Sequence, residues 1–141
     1  MSRFVLDASV VMKWFVPEVH GGAALRFLDE THELHAPDLF HLEATNTLWK
    51  KRRRGEISTE EGRKILDALA TAPIQVHASA PLAASAYEVA VGTGRSVYDA
   101  CYVALAAQLR CPMVTADRTL VIALASGPLA RHVLWVEDGS R

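Results

Sequence analysis

The chain lacks most of the features that announce a ligand or a compartment. Its 15 basic and 16 acidic residues leave a formal net charge of -1, so no global basic field marks it for nucleic acid. That balance does not exclude nucleic acid, because a local acidic cluster loaded with divalent cations inverts the sign of the potential at its site. Only two cysteines are present. Cys101 lies in an apolar helical stretch and Cys111 beside Pro112, without the short spacing of a metal-binding pair. They are read as buried free thiols, which suits a reducing, cytoplasmic setting. No segment approaches the roughly 20 apolar residues that span a bilayer. Met1-Ser2-Arg3 leads straight into a short strand-like run rather than into the apolar core of a signal peptide. There is no internal repeat, low-complexity tract, linker or hairpin signal. The six histidines are scattered, and none sits at ligand spacing from the acids discussed below.

Half of the 141 residues are hydrophobic, enough for one packed core and one domain over 1–141. Short apolar runs predict strands at Phe4–Leu6, Leu34–Ala36, Ile74–Val76, Met113–Thr115 and Val133–Val136. Helices are expected over Ala8–Phe15, Gly21–Glu30, Asp38–Arg54, from Ser58 to Pro73, Leu82–Val91, Val97–Leu109 and Leu120–Ala125. Asp38 is the expected N-cap of the long third helix and Gly55 its C-terminal stop. Ser58 and Glu61 carry a capping-box signature, and Gly92-Thr93-Gly94 reads as a turn rather than a phosphate loop. Strands alternating with helices, joined by short connections, argue for an α/β fold with a mainly parallel central sheet flanked by helices.

Four acids stand where acids are hardest to explain structurally. Asp7 ends the run Phe4-Val5-Leu6, and Asp117 ends Val114-Thr115-Ala116. Asp99 is the only charge from Ser96 through Leu109, and Glu43 lies in the first half of the long helix. An ionised carboxylate in an apolar interior is costly unless it shifts its pKa, finds a partner or holds a metal. In parallel sheets, ligands bind in the crevice beyond the carboxyl ends of the strands, where Asp7 and Asp117 are expected. Carboxylates there suit a hard cation such as Mg²⁺, which can polarise a phosphodiester and acidify an attacking water. Ser9 and Thr115, each two residues from an aspartate, could orient ligands or water. Taken singly, Asp7, Asp99 and Asp117 are also explained as helix caps, and Glu43 as a solvated helix charge. The case for a site rests on the four as a set.

The segments Val5-Leu6-Asp7-Ala8-Ser9, Leu42-Glu43-Ala44, Val97-Tyr98-Asp99-Ala100 with Tyr102-Val103-Ala104-Leu105-Ala106, and Val114-Thr115-Ala116-Asp117 resemble the PIN-domain nucleases. The single-domain length resembles their VapC-type toxin branch. The resemblance covers nearly the whole chain, and the Tyr-Asp-Ala segment with its Ala-rich helix is its most specific part. It implies a Rossmann-like sheet and an acidic Mg²⁺ or Mn²⁺ site. In that family the acids matching Asp7, Glu43, Asp99 and Asp117 hold metal and activate water for RNA cleavage, and Thr115 matches an accessory hydroxyl. Homodimers, and an antitoxin protein that blocks the site, are usual there. One departure is Leu120, where many relatives carry an aromatic residue.

Two other readings compete. A catalytically inactive PIN-fold module would bind nucleic acid or a partner without cutting. A phospho-acceptor domain using Asp7 as nucleophile would want a second acid at position 9, where this chain has Ser9. The basic run Lys50–Arg54 is read as a solvated helix end, with RNA phosphate contact as the alternative. Trp14, Trp49 and Trp135 are read as core or interface anchors.

Overall fold

The short apolar runs become the strands of one parallel sheet in a computed structural model that describes residues 2–140. The strands are β1 (Ser2–Leu6), β2 (His32–Pro37), β3 (Gln75–His77), β4 (Met113–Thr115) and β5 (Val133–Trp135). Their order is β3-β2-β1-β4-β5, and every neighbouring pair is parallel. The chain builds outward from β1 to β3 on one side, then returns to lay β4 and β5 on the other. The order therefore reverses between β1 and β4, and ligand crevices form at such a switch point. The register Leu6↔Val114 sets the carboxyl ends of these two strands side by side. A bond from the Asp7 N–H to the Val114 carbonyl, at 3.0 Å, extends the pairing one residue further.

Seven helices lie among the described residues: α1 (Ala8–Met12), α2 (Gly21–Leu25), α3 (Leu39–Arg53), α4 (Thr59–Ala70), α5 (Ala83–Thr93), α6 (Val97–Leu109) and α7 (Arg118–Leu124). The Ala-rich α6 packs against β1, β2 and β4, with every residue from Ala100 to Ala106 buried. Small side chains let its backbone lie close to the sheet, while Tyr102 and Leu105 fill the remaining volume. The core centres on Val5, Leu6, Val10, Leu105, Met113 and Val114, all fully or almost fully buried. Cys101 and Cys111 are free and buried, as expected. No helix among the described residues is long and apolar enough to cross a membrane.

Local chemistry explains where the elements begin and end. The Ser58–Glu61 capping box is present in both directions. Gly55 adopts φ +77, and α3 closes with the bonds Gly55 N–H to Arg52 O and Glu56 N–H to Lys51 O, the pattern of a Schellman motif. Other expectations need correction. The first helix stops at Met12 rather than Phe15, because residues 13–15 tighten into turns that send Trp14 Nε1 to the Ala24 carbonyl at 2.8 Å. The stretch from Gly21 divides into α2 and a 3-10 turn over Arg26–Leu28. Asp38 makes no cap bond to α3; its Oδ1 instead accepts from Ser79 N–H at 3.2 Å and Ser79 Oγ at 2.5 Å, tying the start of α3 to the segment after β3. Of the two readings of Trp49, core or interface anchor, the core is excluded, since the ring is half exposed beneath Arg53.

Candidate active site

Asp7 and Thr115 are placed by the two strand ends that the register brings together. Asp7 follows β1 at the N-cap position of α1, yet its side chain makes no cap bond. Its Oδ2 accepts from Thr115 Oγ1 at 2.8 Å and from Ser9 Oγ at 3.0 Å. Each hydroxyl also accepts a backbone N–H, Thr115 from Asp117 and Ser9 from Ala116. The two hydroxyls thus lock the aspartate to the opposite strand end. Capping does not account for Asp7; a buried hydroxyl cradle does.

Glu43 reaches the same region from α3. Its Oε1 accepts from the Tyr102 hydroxyl of α6 at 2.6 Å. Burial raises the Glu43 carboxyl above its ordinary range; the Tyr102 donor opposes this, and the charges of Asp7 and Asp99 add to it. Burial likewise raises Asp7, against the pull of the Thr115 and Ser9 hydroxyls and with a contribution from the Asp99 charge. Burial also raises the Tyr102 phenol, helped by Asp7 and Glu43, so it stays a donor. Glu43 therefore feels the charges of both Asp7 and Asp99, and Asp7 that of Asp99.

Asp99 and Asp117 are joined by a group that sequence reasoning missed. One terminal nitrogen of Arg95 donates to Asp99 Oδ2 at 2.9 Å and to Asp117 Oδ2 at 3.2 Å. The Arg95 Nε is buried without a partner. Asp117 also caps α7, its Oδ1 accepting from the N–H groups of Thr119 and Leu120. Its capping reading is realised on one oxygen, while the other pairs with Arg95. At α6 the capping box stays half closed: Ser96 Oγ accepts the Asp99 N–H, while the Asp99 carboxylate turns to Arg95.

A cleft beside the acids is lined by Asp7, Ser9, Glu43, Asn46, Thr47 and Lys50, with Lys13, Glu18 and Lys51 in the same wall. Glu43, Asn46, Thr47, Lys50 and Lys51 share one face of α3 at helical spacing. Lys51 is buried here, so the basic run is not wholly a solvated helix end. A more apolar groove between α3 and α4, around Leu48, Trp49 and Leu66, contains none of the four acids. Among the described residues, no three His, Cys, Asp or Glu side chains are gathered tightly enough to ligate one metal ion. The donors are nonetheless hard oxygens, and Mg²⁺ is commonly held by one or two carboxylates with water filling the remaining positions.

Three roles were missed in the sequence, each with a faint signal. Arg95 stands four residues before Asp99, a spacing that pairs side chains on a helix. Tyr102 sits in an otherwise apolar helix, where a buried hydroxyl requires a partner. Lys51 lies eight residues from Glu43, on the same face of α3.

The PIN domain family model matches residues 4–123. The chain is 37% identical over 120 residues to Ribonuclease VapC3 of Pyrobaculum aerophilum, covering 84% of this chain and 92% of that protein. It is 32% identical over 125 residues to Ribonuclease VapC1 of Mycobacterium tuberculosis, covering 87% and 92%. Among solved structures, PAE2754 from Pyrobaculum aerophilum matches with a TM-score of 0.71 at 25% identity, over 96% of this chain and 85% of that one. A toxin–antitoxin complex from Klebsiella pneumoniae matches with a TM-score of 0.63 at 13% identity, over 92% and 94%, which is a likeness of fold alone.

Proposed function

The chain belongs to the PIN-domain family, and on that premise we propose that it is a metal-dependent endoribonuclease, the toxin of a VapBC-type toxin–antitoxin pair. The observation that supports this reading is that Asp7, at the β1/β4 switch point, and Glu43, lining the same cleft, both hold protons more tightly than usual, with the charge of Asp99 contributing to each. The curated relatives named ribonucleases supply the substrate class.

A divalent cation, Mg²⁺ or Mn²⁺, would be held by Asp7 and Asp99, with Glu43 and Asp117 completing the set directly or through water. When bound, such a cation supplies Lewis-acid polarisation of the phosphodiester and a more acidic attacking water. The chain's own residues hold the donors in place. Thr115 and Ser9 fix one oxygen of Asp7, Tyr102 fixes one oxygen of Glu43, and Arg95 holds Asp99 beside Asp117. None of these bonds requires a side-chain nucleophile. The substrate is cytoplasmic RNA, and the protein partners are a second copy of the chain and a cognate antitoxin that covers the acidic cleft.

The reading is tested by induced expression in a bacterial host, comparing the chain with its Asp99→Asn variant. Growth arrest with fragmented cellular RNA is expected from the first alone. Arrest by both proteins, or by neither at equal soluble levels, would count against a nuclease toxin and favour a binding module.

A further inference from the structure

The cleft that contains Asp7 and Glu43 also carries two lysines on a single glutamate. Lys51 Nζ pairs with Glu18 Oε1, and Lys13 Nζ donates to Glu18 Oε2 at 3.0 Å. The lysine side chains are only 8% and 9% exposed, against 26% for Glu18. Burying a charge is costly, and a carboxylate needs one cation for neutrality. Here two are buried, so the triad carries a net positive charge, and it faces the cleft that also contains Asp7 and Glu43.

We propose that Lys13 and Lys51 form a phosphate subsite that grips the substrate backbone beside the reacting acids, and that Glu18 is a built-in anion holding the subsite until the strand displaces it. The inference rests on the ribonuclease reading and adds where the backbone outside the scissile bond is held. The placement suits that role. Lys13 directly follows α1, which begins next to Asp7, and Lys51 lies on the α3 face that carries Glu43. Eight residues of α3 separate Glu43 from Lys51, a rise of about 12 Å. A strand laid along α3 from the acids therefore brings a neighbouring phosphate to the lysines. A carboxylate and a phosphate oxygen make the same charge-assisted bonds to an ammonium group. Glu18 also lies outside any helix or strand, just after Pro17, so a side-chain rotation is enough to release it. Burial pushes its carboxyl up, but the two lysines outweigh this and hold it below the ordinary range, so it remains an anion at neutral pH.

The test measures binding of a short labelled oligouridylate by fluorescence anisotropy across a salt series, in EDTA. The Asp99→Asn chain is the parent, so that nothing is cut. Glu18→Gln keeps the shape of the side chain and removes its charge. It is expected to steepen the salt dependence by about 0.7, the increment for one single-strand phosphate contact, and so to tighten binding about fivefold at a tenth of the reference salt. Lys13→Gln leaves a neutral Lys51–Glu18 pair, which protects the fold, and is expected to weaken binding by a similar factor. Glu18→Gln binding no tighter than the parent, or Lys13→Gln binding equally well, would overturn the subsite. RNA cleavage by the unmodified chain is scored separately. Cleavage without these shifts removes the subsite and keeps the nuclease; the shifts without cleavage do the reverse.

Discussion

Tyr102→Phe removes one oxygen atom and almost nothing else. Tyr102 is 1% exposed, and its hydroxyl donates to Glu43 Oε1 at 2.6 Å. Packing around the ring is kept, so the change reads out the hydrogen bond. A bond to a charged group contributes about 1.5–3 kcal/mol, and a loss of about 2 kcal/mol is expected where Glu43 is ionised. For a chain of this size that is a fall in melting temperature of roughly 8 °C. The pH dependence follows from the direction of the Glu43 shift. Its folded pKa is raised above the ordinary 4.5. The group's favourable contribution is thus full below the unfolded pKa and is lost as pH rises through the folded one. Tyr102 holds that folded pKa down, so its removal steepens the loss. At about pH 4 the carboxyl is protonated in the fold, the bond is neutral, and the cost of the variant shrinks to about 1 kcal/mol. Thermal melts by circular dichroism at about pH 8 and about pH 4 measure the difference. An equal loss at both values, or none at the higher, would refute the claim that Tyr102 serves an ionised Glu43.

The other expectations are simpler. Asp7→Asn keeps acceptors for Ser9 and Thr115 while removing a buried charge, so it should stabilise the fold by about 1 kcal/mol at neutral pH and abolish cleavage. Because the folded pKa of Asp7 is raised above 3.8, the gain should fade as pH falls through that raised value and be gone below 3.8, and a urea series at two pH values would show it. Gly55→Ala meets no neighbour within 4 Å but must hold φ +77, so its cost is backbone strain of about 1–2 kcal/mol, readable as a lower urea midpoint. Asp38→Ala frees Ser79 and should cost about 1 kcal/mol, with faster hydrogen exchange at the Ser79 amide; unchanged exchange would show that the tie is not formed in solution.

The fold was legible because its strands are short, apolar and separated by helices, a pattern that leaves little but a parallel layer. Val5, Leu6, Met113 and Val114 announced themselves by hydrophobicity and are fully buried. Strand order was not legible, since a register such as Leu6↔Val114 spans more than a hundred residues and leaves no local trace. The acids were visible as charges out of place; their partners were not. Arg95, Lys13 and Lys51 look like ordinary surface cations in one dimension, and only the folded chain turns them toward carboxylates. Asp38 shows the converse error. Local capping rules assigned its side chain to α3, but the neighbouring crossover after β3 supplied better donors.

The measurement that bears most directly on the central claim is cleavage of total cellular RNA by the purified chain, with Mg²⁺ or Mn²⁺, beside EDTA and Asp99→Asn controls. Discrete fragments that appear only with the divalent ion, and that vanish in both controls while the variant stays folded, are the predicted result. Intact RNA with folded, metal-supplied protein, or cutting that survives the loss of Asp99, would contradict the account.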